Sequence, residues 1–180
     1  MELNTYPLVC TRGVVLYPNQ EIVIDVGRDT SVHAVENAQD NYDKKICLFS
    51  QKELEKENPG KEDIYPVGTL CEVRHIRRFD NFLRVKFRGI KRVKLNNWIN
   101  GSLSDLAEVE ILESEKQDAV EEEALIRMIA DELDRMQGQD RFVTKEIVME
   151  ISKGMGGEFL SDKAVQGLPL DIERKQQHLE

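Results

Sequence analysis

Apolar residues recur at every second position through much of residues 5–112 and at every third or fourth position after residue 114. In Glu21-Ile22-Val23-Ile24-Asp25-Val26 the residues Ile22, Ile24 and Val26 share one face, which predicts a half-buried strand stopped by Gly27. Tyr6-Pro7-Leu8-Val9-Cys10 and Val14-Val15-Leu16 are short apolar runs read as strands, the second ended by Pro18-Asn19. Asp29 or Thr30 can cap a helix, and Val32, Val35 and Ala38 continue it at helical spacing to Asn41. Ile46-Cys47-Leu48-Phe49 is continuously apolar, as expected of a central strand buried on both faces. Residues 51–63 are polar around Asn58-Pro59-Gly60 and read as an exposed loop. A hairpin follows: residues 69–79 and 82–88 joined by Asp80-Asn81, with Leu83, Val85 and Phe87 on one face and Arg84, Lys86 and Arg88 on the other. Gly89 breaks this run, residues 90–95 form a further strand, and Ala107, Val109 and Ile111 alternate in the last.

From residue 114 the period is helical. Ser114-Glu115-Lys116-Gln117 has capping-box form, and Val120, Leu125, Ile129, Leu133 and Met136 make an apolar stripe with Glu121, Glu122, Glu123, Asp131 and Glu132 on the wet side. Gly138 ends that helix, and a second is expected from Phe142 or Thr144 to Lys153. A third is capped by Ser161 and closed by Gly167 before Pro169, and residues 171–180 read as one more helix still running at the last residue. The expectation is therefore an α+β chain: a β-rich module over 1–112, then an all-α helical subdomain over 113–180, cut off as part of a longer protein.

Composition sharpens one point. Of 180 residues, 40% are hydrophobic and 33% charged, enough apolar material for a core. The net charge is -9, yet nine Lys and Arg and a single acid, Asp80, lie between residues 74 and 94. A basic stripe thus sits in an acidic surround. There is no apolar run long enough for a membrane span and no basic-then-apolar leader, so a cytoplasmic location is expected. Cys10, Cys47 and Cys71 lie far apart in apolar segments and read as reduced, buried thiols.

The chain carries little recognisable reaction chemistry. It has no phosphate-cradling G-x-x-x-x-G-K-[ST], since the glycines at 154, 156 and 157 precede no Lys-Ser or Lys-Thr. His33, His75 and His178 are isolated from each other and from cysteine, which leaves no metal-ligand spacing, and no nucleophile has a recognisable base nearby. The segment reads as non-catalytic, with no catalytic, cofactor-binding or metal residues.

Pro7-Leu8, Thr11-Arg12-Gly13-Val14-Val15-Leu16-Tyr17-Pro18, Val26-Gly27-Arg28, Lys44-Lys45-Ile46, Gln51-Lys52, Tyr65-Pro66-Val67-Gly68-Thr69, Arg88-Gly89 with Arg92-Val93, Leu160-Ser161-Asp162, Leu168-Pro169-Leu170 and Lys175-Gln176 together resemble the N-terminal domain of the Lon family of ATP-dependent serine proteases. The likeness lies in their collinear order over nearly the whole chain. Position 10 departs from it, with Cys where the family usually has Pro, and the 74–94 hairpin carries more cations than is usual. The resemblance implies a PUA-like β module, or pseudo-barrel, followed by a helical subdomain. It also implies a role in substrate recognition and assembly within a homohexameric protease that removes misfolded and short-lived regulatory proteins. ATP and Mg would serve modules absent from this segment, where no cofactor is expected. Expected partners are unfolded or tagged proteins and other subunits of a homo-oligomer, with no membrane.

Capture of unfolded chains needs exposed apolar surface. Leu16, Tyr17 and Pro18 form one candidate contact, and Met155 with Phe159 a second, each with a plain packing role as the alternative. The row Arg84, Lys86 and Arg88 could meet an acidic protein, another subunit or phosphates, or be a solvated or edge-guarding face. Two other functions remain open: a PUA-like nucleic-acid-binding module using the 74–94 hairpin, and a stand-alone protein-binding adaptor.

Overall fold

In the computed structural model, which describes residues 3–113, 119–136 and 156–180, the first half of the chain runs β1 (Leu3–Thr11), β2 (Glu21–Val26), α1 (Asp29–Asn41), β3 (Lys45–Ser50), β4 (Val67–Arg78), β5 (Leu83–Ile99) and β6 (Leu106–Ile111), with a 3-10 turn at Lys61–Asp63. The sheet order is β2-β5-β4-β3-β1-β6, and β6 also pairs with β5. Five strands therefore close a ring, while β2 joins only the first part of β5. Only β1 and β3 are parallel, as a connection through α1 allows. The chain is α+β, as expected, and its strands form the β-rich pseudo-barrel that the resemblance implies.

The continuous apolar run of β3 is explained by what lies on each side. Ile46 and Leu48 enter one core, under Ala34, Val35 and Ala38 of α1, while Cys47 and Phe49 enter a second with Leu8, Val93, Ala107 and Val109. With β1 and β4 as neighbours, β3 is central.

Three local expectations change. Residues 14–16 form no strand but belong to a loop over residues 12–20 that is buried at Val15, Leu16 and Tyr17. Gly89 does not end the strand: β5 runs for 17 residues through it, although its register against β4 shifts there, from Cys71 opposite Gly89 to Leu70 opposite Lys91. Glycine is needed there because a Cβ would lie 2.2 Å from the carbonyl oxygen of Tyr17, and the same close approach lets Asn19 N–H donate to the Gly89 carbonyl and Gly89 N–H to that of Gln20, both at 2.9 Å. The residue preceding α1 is Arg28, in extended conformation and with no side-chain cap, so Asp29 already lies in the first turn.

The helical part contains α2 (Ala119–Met136) and α3 (Gly157–Gly167). The Glu122 carboxylate accepts from Gly157 N–H at 2.8 Å, and Ile126 and Ala130 are half-buried on the same side of α2. The predicted stripe is rotated away from that contact, leaving Val120, Leu125 and Ile129 exposed. Gly156, not Ser161, precedes α3, and the helix ends at Gly167 as its Gly-Pro signal predicts. The capping box at 114–117, the helix expected before residue 153, Gly138 and Met155 lie outside the described residues, as do the side chains of Leu133 and Met136.

The final helix, α4 (Ile172–Leu179), belongs to the β module, so the compact units are residues 1–113 with 172–180, and residues 114–171. The subdomain expected over 113–180 thus lacks its last helix. The cause is specific. Gln176 Nε2 donates to the Val67 carbonyl at 2.7 Å, Tyr17 O–H to the Lys175 carbonyl at 2.8 Å, and Arg92 Nε to the Leu179 carbonyl at 3.1 Å, while Leu179 is 2% exposed. Among the described residues no helix is long and apolar enough to cross a membrane.

Candidate functional site

The first predicted contact is interior. Leu16 is 3% and Tyr17 0% exposed, and Pro18 is also buried. The Tyr17 ring meets His178 edge-on, 5.5 Å between centroids, so this segment is a seat for α4 rather than a surface for a partner. Phe159 is half-buried near the start of α3.

The basic row does share one side of β5, but β2 supplies its counter-charges. Register places Asp25 opposite Arg84 and Glu21 opposite Arg88. Arg84 Nε and Nη2 donate to the two carboxylate oxygens of Asp25, each at 2.7 Å, a bidentate pair. Lys86 Nζ lies 2.7 Å from Glu21 Oε2. The hydrogen bond from Lys86 holds Glu21 below its ordinary carboxylate range, that from Arg84 does the same for Asp25, and Arg84 is raised in return. Arg74 pairs with Glu72, Arg78 with Glu36 and Lys91 with Glu113. At the hairpin tip Phe79 and Phe82 stack at 4.6 Å, with the guanidinium groups of Arg77 and Arg84 at 5.1 and 5.3 Å from the Phe79 ring centre. Five of the nine cations between residues 74 and 94 thus have an acidic partner in space, Arg84 and Lys86 of the row among them, while Arg88 only lies across from Glu21 in register, so the stripe is less positive in space than in sequence.

Besides a shallow depression at the hairpin tip between Arg77 and Phe82, concave surface gathers around Arg28. A cleft of about 300 Å³ runs between residues 9–12, at the end of β1, and residues 24–28, with Ser31 of α1 inside it. Two adjoining depressions continue from Arg28 to Glu57 and Asn58, and to Trp98 and Asp105. Arg28 organises the junction. Its Nη2 donates to Gln51 Oε1 at 2.7 Å and to the Lys56 carbonyl at 3.2 Å, and Nη1 to the Cys10 carbonyl at 3.4 Å. The buried Gln51 in turn donates from Nε2 to the carbonyls of Lys56 and Glu53. Partial burial, and then the neighbouring Arg12 charge, lower the pKa of Arg28. The polar 51–63 segment is thus pinned against the β1 end, while Arg12 is exposed at the rim.

This cleft has the chemistry of a contact surface. Burial pushes the Cys10 thiol up to about 12, so it is neutral and a poor nucleophile near pH 7, and burial raises Cys47 and Cys71 as well. All three cysteines are free. Among the described residues no group of three or more His, Cys, Asp or Glu could hold a metal ion. Sequence reasoning missed Arg28 and Gln51 as partners, although both fall in segments that carry the family likeness. It also missed Glu21 and Asp25, whose register against β5 depends on a non-sequential pairing.

Comparison with known proteins agrees with this architecture. The family model described as the ATP-dependent protease La (LON) substrate-binding domain matches residues 5–180. Lon proteases from Buchnera aphidicola subsp. Schizaphis graminum, Syntrophomonas wolfei subsp. wolfei and Clostridium acetobutylicum are 31%, 33% and 35% identical, covering 97%, 99% and 95% of this chain. The match covers 22%, 22% and 21% of those proteins, so the chain spans about a fifth of their length. The N-terminal domain of Mycobacterium avium complex Lon protease has the same fold, with a TM-score of 0.75 at 15% identity over 98% of this chain and 90% of that one. A Lon N-terminal domain protein from Xanthomonas campestris gives 0.67 at 16%, with the same two coverages. The ring of strands, the helical part and the match along almost the full length converge on one assignment: this chain belongs to the Lon protease N-terminal, substrate-binding domain family.

Proposed function

We propose that this chain recognises unfolded or tagged protein segments for a Lon-like ATP-dependent serine protease in the cytoplasm and itself performs no chemistry. The observation that carries the reading is the match of residues 5–180 to a substrate-binding domain. The open cleft beside Arg28, lined by backbone and mixed polar and apolar groups rather than by a reactive cluster, supports it. On this reading ATP and Mg serve other modules of the longer enzyme, and assembly into a homohexamer is a property of the whole protein. Neutralisation of Arg84 and Lys86 by β2 favours protein over nucleic acid as the partner.

The test is fluorescence anisotropy with a labelled protein in two forms, native and permanently unfolded by reduction and carboxymethylation. Binding of the unfolded form alone is expected, with little loss between low and physiological salt. Equal binding of both forms, or binding to single-stranded nucleic acid with a steep salt dependence, would overturn the reading.

A further inference from the structure

We propose that the outer edge of β2 accepts an extended segment of unfolded polypeptide as an added antiparallel strand, which rests on the protein-recognition reading above and specifies its site and mode. Among the described residues β2 is hydrogen-bonded only to β5. Gly89 N–H donates to the Gln20 carbonyl at the head of this pairing. By the alternation of an antiparallel ladder, Ile22, Ile24 and Val26 then direct their backbone groups to β5, and the N–H and C=O groups of Glu21, Val23 and Asp25 point off the sheet. Val23 is 56% exposed at the centre of this edge.

Edges like this are commonly guarded by charge. Here Glu21 and Asp25 are already engaged by Lys86 and Arg84, so the guards are held against the sheet and Val23 stands between them. The cleft between residues 24–27 and 9–12 borders the same strand and offers room for side chains of an incoming segment. The charge pattern also selects the occupant. A second copy pairing antiparallel about Val23 would set Glu21 opposite Asp25 at both ends, each acid then meeting a carboxylate with no unengaged cation across from it because Lys86 and Arg84 are already taken, whereas a foreign apolar segment leaves both pairs as they are. Folded proteins keep their backbone groups paired internally. An edge that reads backbone therefore takes unfolded chains with little regard to sequence.

The experiment measures binding of a reduced, carboxymethylated α-lactalbumin to the whole chain, together with amide hydrogen exchange. Binding is expected to slow exchange at Glu21, Val23 and Asp25. Val23→Pro removes an outward N–H and leaves the bonds to β5 in place, so the variant should keep its Trp98 fluorescence and bind at least about tenfold more weakly. Val23→Ala, which keeps the N–H, should bind within about twofold of the parent. Should Val23→Pro not fold, peptides decide the matter: two backbone N-methyl groups on residues i and i+2 leave one edge intact and preserve binding, whereas the same two on i and i+1 block both edges and abolish it. A folded Val23→Pro with parental affinity, equal binding of the two peptides, or probe-independent dimerisation through β2 overturns the edge assignment while leaving protein recognition standing. If the parent chain does not bind the unfolded probe at all, both fall.

Discussion

Replacing Tyr17 separates two roles that lead to opposite results. As an exposed substrate contact, Tyr17 could be changed to alanine with loss of binding and no loss of stability. The structure puts the whole side chain inside, at 0% exposure, with its hydroxyl on the Lys175 carbonyl and its ring edge-on to His178. Truncating a buried aromatic ring costs about 3–5 kcal/mol, and losing the hydroxyl alone about 0.5–1.5 kcal/mol. With a urea dependence of roughly 2 kcal/mol per molar, Tyr17→Phe should move the unfolding midpoint down by about 0.5 M and Tyr17→Ala by about 2 M. Against a typical domain stability of about 5–15 kcal/mol, the alanine variant should still fold when the parent lies in the middle of that range.

Trp98 is the only tryptophan and packs at the second core of the β module, so its fluorescence follows the unit that contains Tyr17. Tyr17→Phe should in addition speed amide exchange in α4, because the hydroxyl is one of the bonds that hold that helix. An alanine variant whose midpoint is unchanged and whose affinity for unfolded protein is lost would return Tyr17 to the surface role and contradict the placement of α4.

Three other perturbations probe separate parts of the molecule. Gly89→Ala sets a Cβ 2.2 Å from the Tyr17 carbonyl oxygen and should cost about 1–3 kcal/mol or more, read as a lower thermal midpoint; a neutral effect would mean that the 12–20 loop does not cross β5 there. The hydrogen bonds that depress Glu21 and Asp25 contribute stability above the ordinary carboxylate range, and this is lost as pH falls through the lowered native values. The double change Glu21→Gln with Asp25→Asn should therefore flatten the stability curve between neutral and acid pH, and an unchanged acid limb would show that these pairs are not linked to folding. Thiol titration of the native protein near pH 7 should find all three cysteines unreactive, with full reaction only in denaturant, since burial raises each of them; rapid labelling of native Cys10 would show an open β1 end.

Local signals carried much of this fold. Period 2 at Ile22, Ile24 and Val26, the uninterrupted run at β3 and the helical spacing of Val32, Val35 and Ala38 each depend on a residue and its near neighbours, and each element formed where its pattern places it. The failures share a cause. Gly89 is a breaker by local propensity, yet it sits inside a long strand because a loop some 70 positions earlier in sequence needs the space above it. The apolar Leu16-Tyr17-Pro18 looks available until α4, more than 150 residues later, is laid over it. The cationic row looks unopposed until β2, remote in sequence, is set beside β5. Pairing across the sheet decides these outcomes, and no window along the chain contains both partners.

The same logic explains why the family likeness could be recognised when the site could not. Its scattered segments meet in the folded molecule: Val26-Gly27-Arg28 reaches Gln51-Lys52 through the Arg28–Gln51 hydrogen bond, and Leu16-Tyr17-Pro18 reaches Lys175-Gln176 through Tyr17. Tyr65-Pro66-Val67-Gly68 reaches the same end through Gln176. These segments are the joints that hold the loop to β1 and α4 to the ring, which makes them informative about architecture and silent about what the surface binds. A contact that reads backbone at β2 leaves little trace in side-chain identity beyond an exposed Val23 between two paired acids. Its specificity would reside in the register of β2 on β5, a property that exists only once the strands have met.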